Sequence, residues 1–232
     1  GYKALFSNST GYANVAYGRE AMQNNSTGFY NAAFGVTALA SNTSGDRNTA
    51  TGDYALRQNT TGCRNTASGY YAMNKNTSGC LNAGFGVWAM YANTTATGNT
   101  AFGYSAMYST TTGGANTAVG SVALYSNTTG VRNTATGRYA LYANTTASDN
   151  TSSGFYSLRV NTTGALNTAS GAYSMKSNTT GSCNTGYGYG SLHDNTTGGH
   201  NTAVGGCAAF NTTTGSDNTA TGFRALFSNT TA

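Results

Sequence analysis

A glycine returns every seventeen residues along the whole chain: Gly1, Gly18, Gly35, Gly52, Gly69, Gly86, Gly103, Gly120, Gly137, Gly154, Gly171, Gly188, Gly205 and Gly222. A period this strict restricts the fold to a repeat array, in which each unit buries its apolar side against its neighbours. The chain reads as thirteen full copies and an eleven-residue remainder, one repeat domain over residues 1–232.

Numbered from its glycine, the unit reads G-x-x-A-L-x-x-N-T-T-G-x-x-N-T-A-x. Position 4 is Ala or Ser in every copy, and position 5 is Leu or Met except at Ala209. Position 14 is Asn in all thirteen copies that reach it, and position 11 is Gly except at Ala96, Ala147 and Ala232. Asn, Thr and Gly favour turns and caps over helix interiors. Apolar residues at helical spacing are missing. The unit therefore predicts an all-β chain, a parallel β-solenoid (β-roll or β-helix) of 17-residue coils, about 13.6 of them. Successive coils stack at about 4.8 Å.

That geometry assigns a role to each fixed position. Gly at positions 1 and 11 is expected at corners that need positive φ. Leu or Met at position 5 makes one thin apolar seam, and Asn at positions 8 and 14 stacks into amide ladders. Thr at positions 9, 10 and 15 is expected to form hydroxyl ladders. Proline, which would remove a ladder donor, does not occur in the chain.

Charge separates inside from outside. Only 7% of residues are charged, and all of them fall at positions 2, 3, 6, 7, 12 or 13, as do both histidines. Unpaired charges are rarely buried, so these positions face out. The net charge of +5 is spread without a basic run, which argues against a nucleic-acid partner. No apolar stretch approaches the eighteen residues of a membrane span. The chain starts GYKALF and stops SNTTA, both inside the repeat, which suggests a processed chain or a segment.

The stretches Asn116-Thr-Ala-Val-Gly120 and Asn201-Thr-Ala-Val-Gly205, with their relatives in every copy, resemble the N-S-x-A-x-G-x-x-S/A head repeats of trimeric autotransporter adhesins. The unit also resembles related β-solenoid repeats of bacterial and viral fibres. The resemblance implies a left-handed parallel β-roll, three chains side by side, on a bacterial surface that binds host matrix or other cells. The unit here is a few residues longer, carries an added N-T-T-G segment, and shows no stalk, neck or anchor.

Chemistry is sparse. Two His, six acids and four Cys are scattered along the chain, and no His–Cys cluster has zinc spacing. We expect no enzyme, no cofactor and no metal site. Cys63 and Cys80 share position 12 in neighbouring coils, within disulfide range; a bridge in an oxidising setting and two free thiols are both open readings. Twelve copies carry an Asn-x-Ser/Thr sequon at position 8, among them Asn59, Asn127 and Asn161. An inward ladder makes them poor glycan acceptors.

Aromatic residues keep register too. Tyr91, Tyr108, Tyr125 and Tyr142 hold position 6 in four successive coils. Tyr54, Tyr71 and Trp88, and again Tyr139, Tyr156 and Tyr173, hold position 3. Each series is expected as an outer ribbon of rings, serving ladder stability, a subunit interface or sugar stacking. Position 17 varies between aromatic, Val and small residues without ever being charged, as either a half-buried seam or a protein contact.

The functional expectation is a structural extracellular subunit that self-associates, end to end as a filament or side by side as a homo-oligomer, a trimer among the options. The alternative is a binding module of an adhesin or viral fibre that recognises a cell surface or glycan. Ice binding, a remote third class, needs regular Thr-x-Thr rows. Positions 15 and 17 give them only at Thr49/Thr51, Thr134/Thr136 and Thr219/Thr221, five coils apart.

Overall fold

A computed structural model describes residues 1–231. It is all-β, a parallel β-solenoid with one three-residue strand per coil at positions 15–17. The chain falls into two compact units, Gly1–Ala115 and a second that begins at Asn116. The first holds β1 (Val15–Tyr17), β2 (Ala32–Phe34), β3 (Thr49–Thr51), β4 (Thr66–Ser68), β5 (Ala83–Phe85) and β6 (Thr100–Phe102). The second holds β7 (Thr117–Val119), β8 (Thr134–Thr136), β9 (Thr151–Ser153), β10 (Thr168–Ser170), β11 (Thr185–Tyr187), β12 (Thr202–Val204) and β13 (Thr219–Thr221). Within each unit every strand pairs in parallel with the next, and each residue faces its counterpart seventeen places on, as Ala50 faces Ala67 and Ala118 faces Ala135.

The rest of each coil is turn. In the second coil Ala21 N–H donates to Gly18 C=O, Gln23 N–H to Glu20 C=O, and Asn25 N–H to Met22 C=O. These are three successive four-residue turns, each sharing two residues with the next. The third residues of the first two, Glu20 and Met22, have φ of 57° and 48°. Such turns normally place Gly or Asn there. Here positions 3, 5 and 13 adopt left-handed backbone with ordinary side chains in coil after coil, including Leu56 at φ 49° and Tyr71 at φ 57°. Each such residue costs of order 1 kcal/mol. The repeated N–H contacts between coils hold it in place.

The two glycines have different duties. Gly69 at position 1 has φ 138°, as the corner argument required, and a Cβ on it would lie 2.4 Å from Gly86 O. Position 11 does not have positive φ, which corrects the expectation. Its glycine is needed for space. A Cβ on Gly62 would sit 2.3 Å from Asn59 Oδ1 and 2.6 Å from Gly79 O. Ala96 and Ala147 accommodate a methyl there, buried at 1% and 4% exposure.

The interior is narrow and regular. Met22, Leu39, Leu56, Met73, Met90 and Met107 line the first unit with no exposed surface, and Leu124, Leu141, Leu158, Met175 and Leu192 line the second. Alanines of positions 4 and 16 fill the remaining apolar space. One Leu or Met per coil contributes about 2–3 kcal/mol, far less than the entropy lost in ordering the coil. Polar ladders carry much of the specificity. Asn42 Nδ2 donates to Asn25 Oδ1 at 2.7 Å and to Gly45 O at 2.9 Å. Asn48 donates to Asn31 Oδ1 through its backbone N–H and its Nδ2, and to Gly62 O at 2.8 Å.

Threonine behaves differently from the ladder expectation. At position 9 its hydroxyl donates to a backbone carbonyl, as Thr60 Oγ1 does to Thr77 O at 3.0 Å. The N–H groups of Thr60, Thr61 and Gly62 converge on that same carbonyl. Position 15 faces solvent in most coils, with Thr134, Thr151, Thr168, Thr185, Thr202 and Thr219 all exposed.

Candidate functional surface

The charged positions lie outside, as their spacing required. Arg132 and Asp149, stacked at position 13, form a two-pronged pair: Nε to Oδ1 at 2.6 Å and Nη2 to Oδ2 at 2.8 Å. Hydrogen bonding to Arg132 holds the Asp149 carboxyl below its ordinary pKa. Arg47 pairs with its neighbour Asp46.

The ten ribbon residues Tyr54, Tyr71, Trp88, Tyr91, Tyr108, Tyr125, Tyr139, Tyr142, Tyr156 and Tyr173 are all half-buried. Tyr54 stacks on Tyr71 at 4.6 Å between ring centroids, and Tyr91 on Tyr108 at 5.1 Å. In the second unit Tyr125 stacks on Tyr142 at 5.3 Å, Tyr139 on Tyr156 at 5.0 Å, and Tyr156 on Tyr173 at 5.7 Å. Trp88 meets Tyr104 edge-on at 5.6 Å. Cations lie over several rings: Lys75 over Tyr91, Arg138 over Tyr139, Arg159 over Tyr156, Lys176 over Tyr173. Rings stacked at 4.6 to 5.7 Å spend their faces on each other and on these cations. The ribbon therefore turns ring edges, not faces, towards solvent, an arrangement suited to stiffening coil against coil.

Apart from Phe6, Tyr12 and Tyr30 in the first two coils, the exposed rings lie elsewhere, at positions 17 and 2 on either side of the corner glycine. Around Gly103 these are Phe102 and Tyr104, 58% and 52% exposed; around Gly188 they are Tyr187 and Tyr189, 61% and 60% exposed. Position 17 stands out in the sequence by its lack of charge, but position 2 carries Arg19, Asp53 and Arg138 in other copies and gives no such signal. The corner between them bears no side chain.

Cys63 and Cys80 lie together as unbonded thiols, with Cys80 Sγ accepting the Cys63 N–H at 3.0 Å. Burial, reinforced by the hydrogen bond to Cys80, pushes the Cys63 thiol up to about 11. Asn59, Asn127 and Asn161 are fully buried, each donating its Nδ2 to the position 11 carbonyl of its own coil. Among the described residues no group of three or more His, Cys, Asp or Glu is placed to hold a metal ion. No helix is long and apolar enough to cross a membrane among them.

Comparison of the chain with protein-family models, with curated proteins and with solved structures finds no match.

Proposed function

We propose that this chain is a structural segment of an extracellular fibre whose stiffness comes from stacked coils. The observation that carries this reading is the identity of the contact from coil to coil. Each Asn ladder joins a residue to its equivalent seventeen places on, through the same donor and acceptor atoms. A coil of a second copy would meet the same donors and acceptors as the chain's own next coil, so self-association end to end needs no new chemistry. The half-buried tyrosine ribbon and its covering cations add resistance to shear between coils.

Electron microscopy of the purified chain tests the proposal. Filaments many times longer than a single chain are the expected result. Short discrete rods at every concentration and salt would overturn it.

A binding module of an adhesin or viral fibre is the second reading, favoured by the exposed rings flanking Gly103 and Gly188. Unlike the ribbon, these rings stand at a bare corner where a sugar ring or a neighbouring fibre can approach. Replacing Phe102 and Tyr104 by Ser should abolish cell-surface or glycan binding under this reading, and leave filaments intact under the first.

A further inference from the structure

The chain holds fifteen Asn-x-Ser/Thr triplets, and the fold sorts them into two classes. Twelve place their Asn at position 8 and one at Asn150. All thirteen carboxamides are committed inside the protein. Asn59 Nδ2 bonds to Asn42 Oδ1 and Gly62 O, Asn161 Nδ2 to Asn144 Oδ1 and Gly164 O, and Asn150 Nδ2 to Gly164 O. Even the half-buried Asn8 and Asn229 spend Nδ2 on Gly11 O and on Asn218 Oδ1.

The remaining two are Asn24-Asn25-Ser26 and Asn211-Thr212-Thr213, with their Asn at position 7. Position 7 is also where Lys75 and Asp194 reach solvent. Asn24 is exposed and Asn211 half-buried. Their backbones are fixed, by Asn24 N–H to Ala40 O at 3.0 Å and Asn211 N–H to Phe227 O at 3.2 Å. Neither side-chain amide makes a hydrogen bond among the described residues.

We propose that Asn24 and Asn211 are acceptors for N-linked glycans, and that the other thirteen sequons are closed by the fold. The proposal rests on the extracellular reading above, because the donor, a lipid-diphosphate-linked oligosaccharide, belongs to a secretory route. In the transfer Asn Nδ2 attacks the anomeric carbon of the first sugar. The carbon–nitrogen bond forms as the bond from that carbon to the diphosphate oxygen breaks. The lipid diphosphate leaves with the electron pair, and the amide proton passes to the transferase's base. A glycan at position 7 projects from the surface and disturbs no ladder. A glycan on Asn59 would occupy the nitrogen that two carbonyl oxygens need.

The test is secretion of the full chain from a eukaryotic host behind a cleavable signal. Amidase treatment of the folded, secreted protein in heavy-oxygen water then marks each glycosylated Asn as labelled Asp. Label at Asn24 and Asn211 alone is expected, with one glycan lost in each of Asn24→Gln and Asn211→Gln. Folded protein without label at Asn24, or with label at Asn59, Asn127 or Asn161, overturns the proposal. Because the host imposes secretion, this result is independent of where the chain resides in its own cell, and fractionating that cell tests the extracellular reading separately. Should the chain fail to leave the host, folded protein from a bacterial cytoplasm treated with a soluble N-glycosyltransferase and a nucleotide-activated hexose gives the same two outcomes.

Discussion

The coils of Asn59 and Thr110 have the same backbone and different interiors. In both, the N–H at position 8 donates to the position 5 carbonyl: Asn59 to Leu56 at 3.0 Å, Thr110 to Met107 at 3.2 Å. In the first coil Asn59 takes the Asn76 amide at 2.6 Å and gives its own to Asn42 at 2.8 Å. In the second, Thr110 has no amide to offer. Asn93 Oδ1 and Thr110 Oγ1 are both left buried without a partner. The second unit repeats the pattern independently, where Thr212 leaves its own Oγ1 and Asn195 Oδ1 unpaired. Four orphaned atoms thus trace to the two copies in which position 8 is not Asn. The difference separates what the backbone demands of this position from what the ladder adds.

The largest effect is expected inside the intact ladder. Asn59→Ala strands Asn42 Oδ1 and removes one acceptor of Asn76, costing about 3 kcal/mol, whereas Thr110→Ala should cost about 1 kcal/mol or less, since its hydroxyl is unpaired. Denaturant titration with amide exchange of the flanking coils measures both, because repeat arrays open in parts. Equal losses would break the comparison.

Next comes repair. Thr110→Asn and Thr212→Asn should each stabilise by about 1–2 kcal/mol, by giving Asn93 and Asn195 their missing donors. Slower exchange at the repaired coil would locate the gain, and a loss of stability would show that the coil cannot admit a second amide.

Thr110→Val keeps the shape and deletes an unsatisfied hydroxyl, so a change within about 0.5 kcal/mol of neutral is expected. A clear loss in melting temperature would mean that the hydroxyl has a partner in solution.

The smallest effect is on the surface. The folded-state pKa of Asp149 is lowered by Arg132. The pair's contribution is therefore present above the unfolded carboxylate pKa of about 4 and is lost as pH falls through the lower folded value. The acid limb of the stability curve should flatten slightly in Asp149→Asn. Arg132 is exposed and Asp149 only half-buried, so added salt should shrink the difference.

How much of this was legible beforehand depends on whether side chain or backbone set the role. The Asn ladders, the apolar seam and the outward charges followed from residue type and strict period. The left-handed residues at positions 3, 5 and 13 did not, because Leu, Tyr and Arg give no local signal for such backbone. The space demanded at Gly62 also escaped, since it depends on a carbonyl of the following coil. The half-burial of the tyrosine ribbon depends on contacts with rings and cations of neighbouring coils, which residue type alone does not reveal. The exposed rings at position 2 share a column with charges, which hid them. The candidate glycan acceptors were visible as triplets, but only burial and hydrogen bonding distinguish Asn24 from Asn25.

The in-register pairing has an evolutionary consequence. Each strand residue within a unit pairs with its counterpart seventeen places on, as Thr168 faces Thr185 and Ala33 faces Ala50. Unequal crossing-over that adds or removes fifty-one nucleotides therefore hands each side chain an equivalent partner, whereas a change of any other size shifts Asn off its column and Gly off its corner. The gene is free to alter the chain's length, but only in whole coils. Natural length variants of this chain should differ by multiples of seventeen residues, with Thr at position 8 drifting in copy number while the ladder elsewhere stays intact.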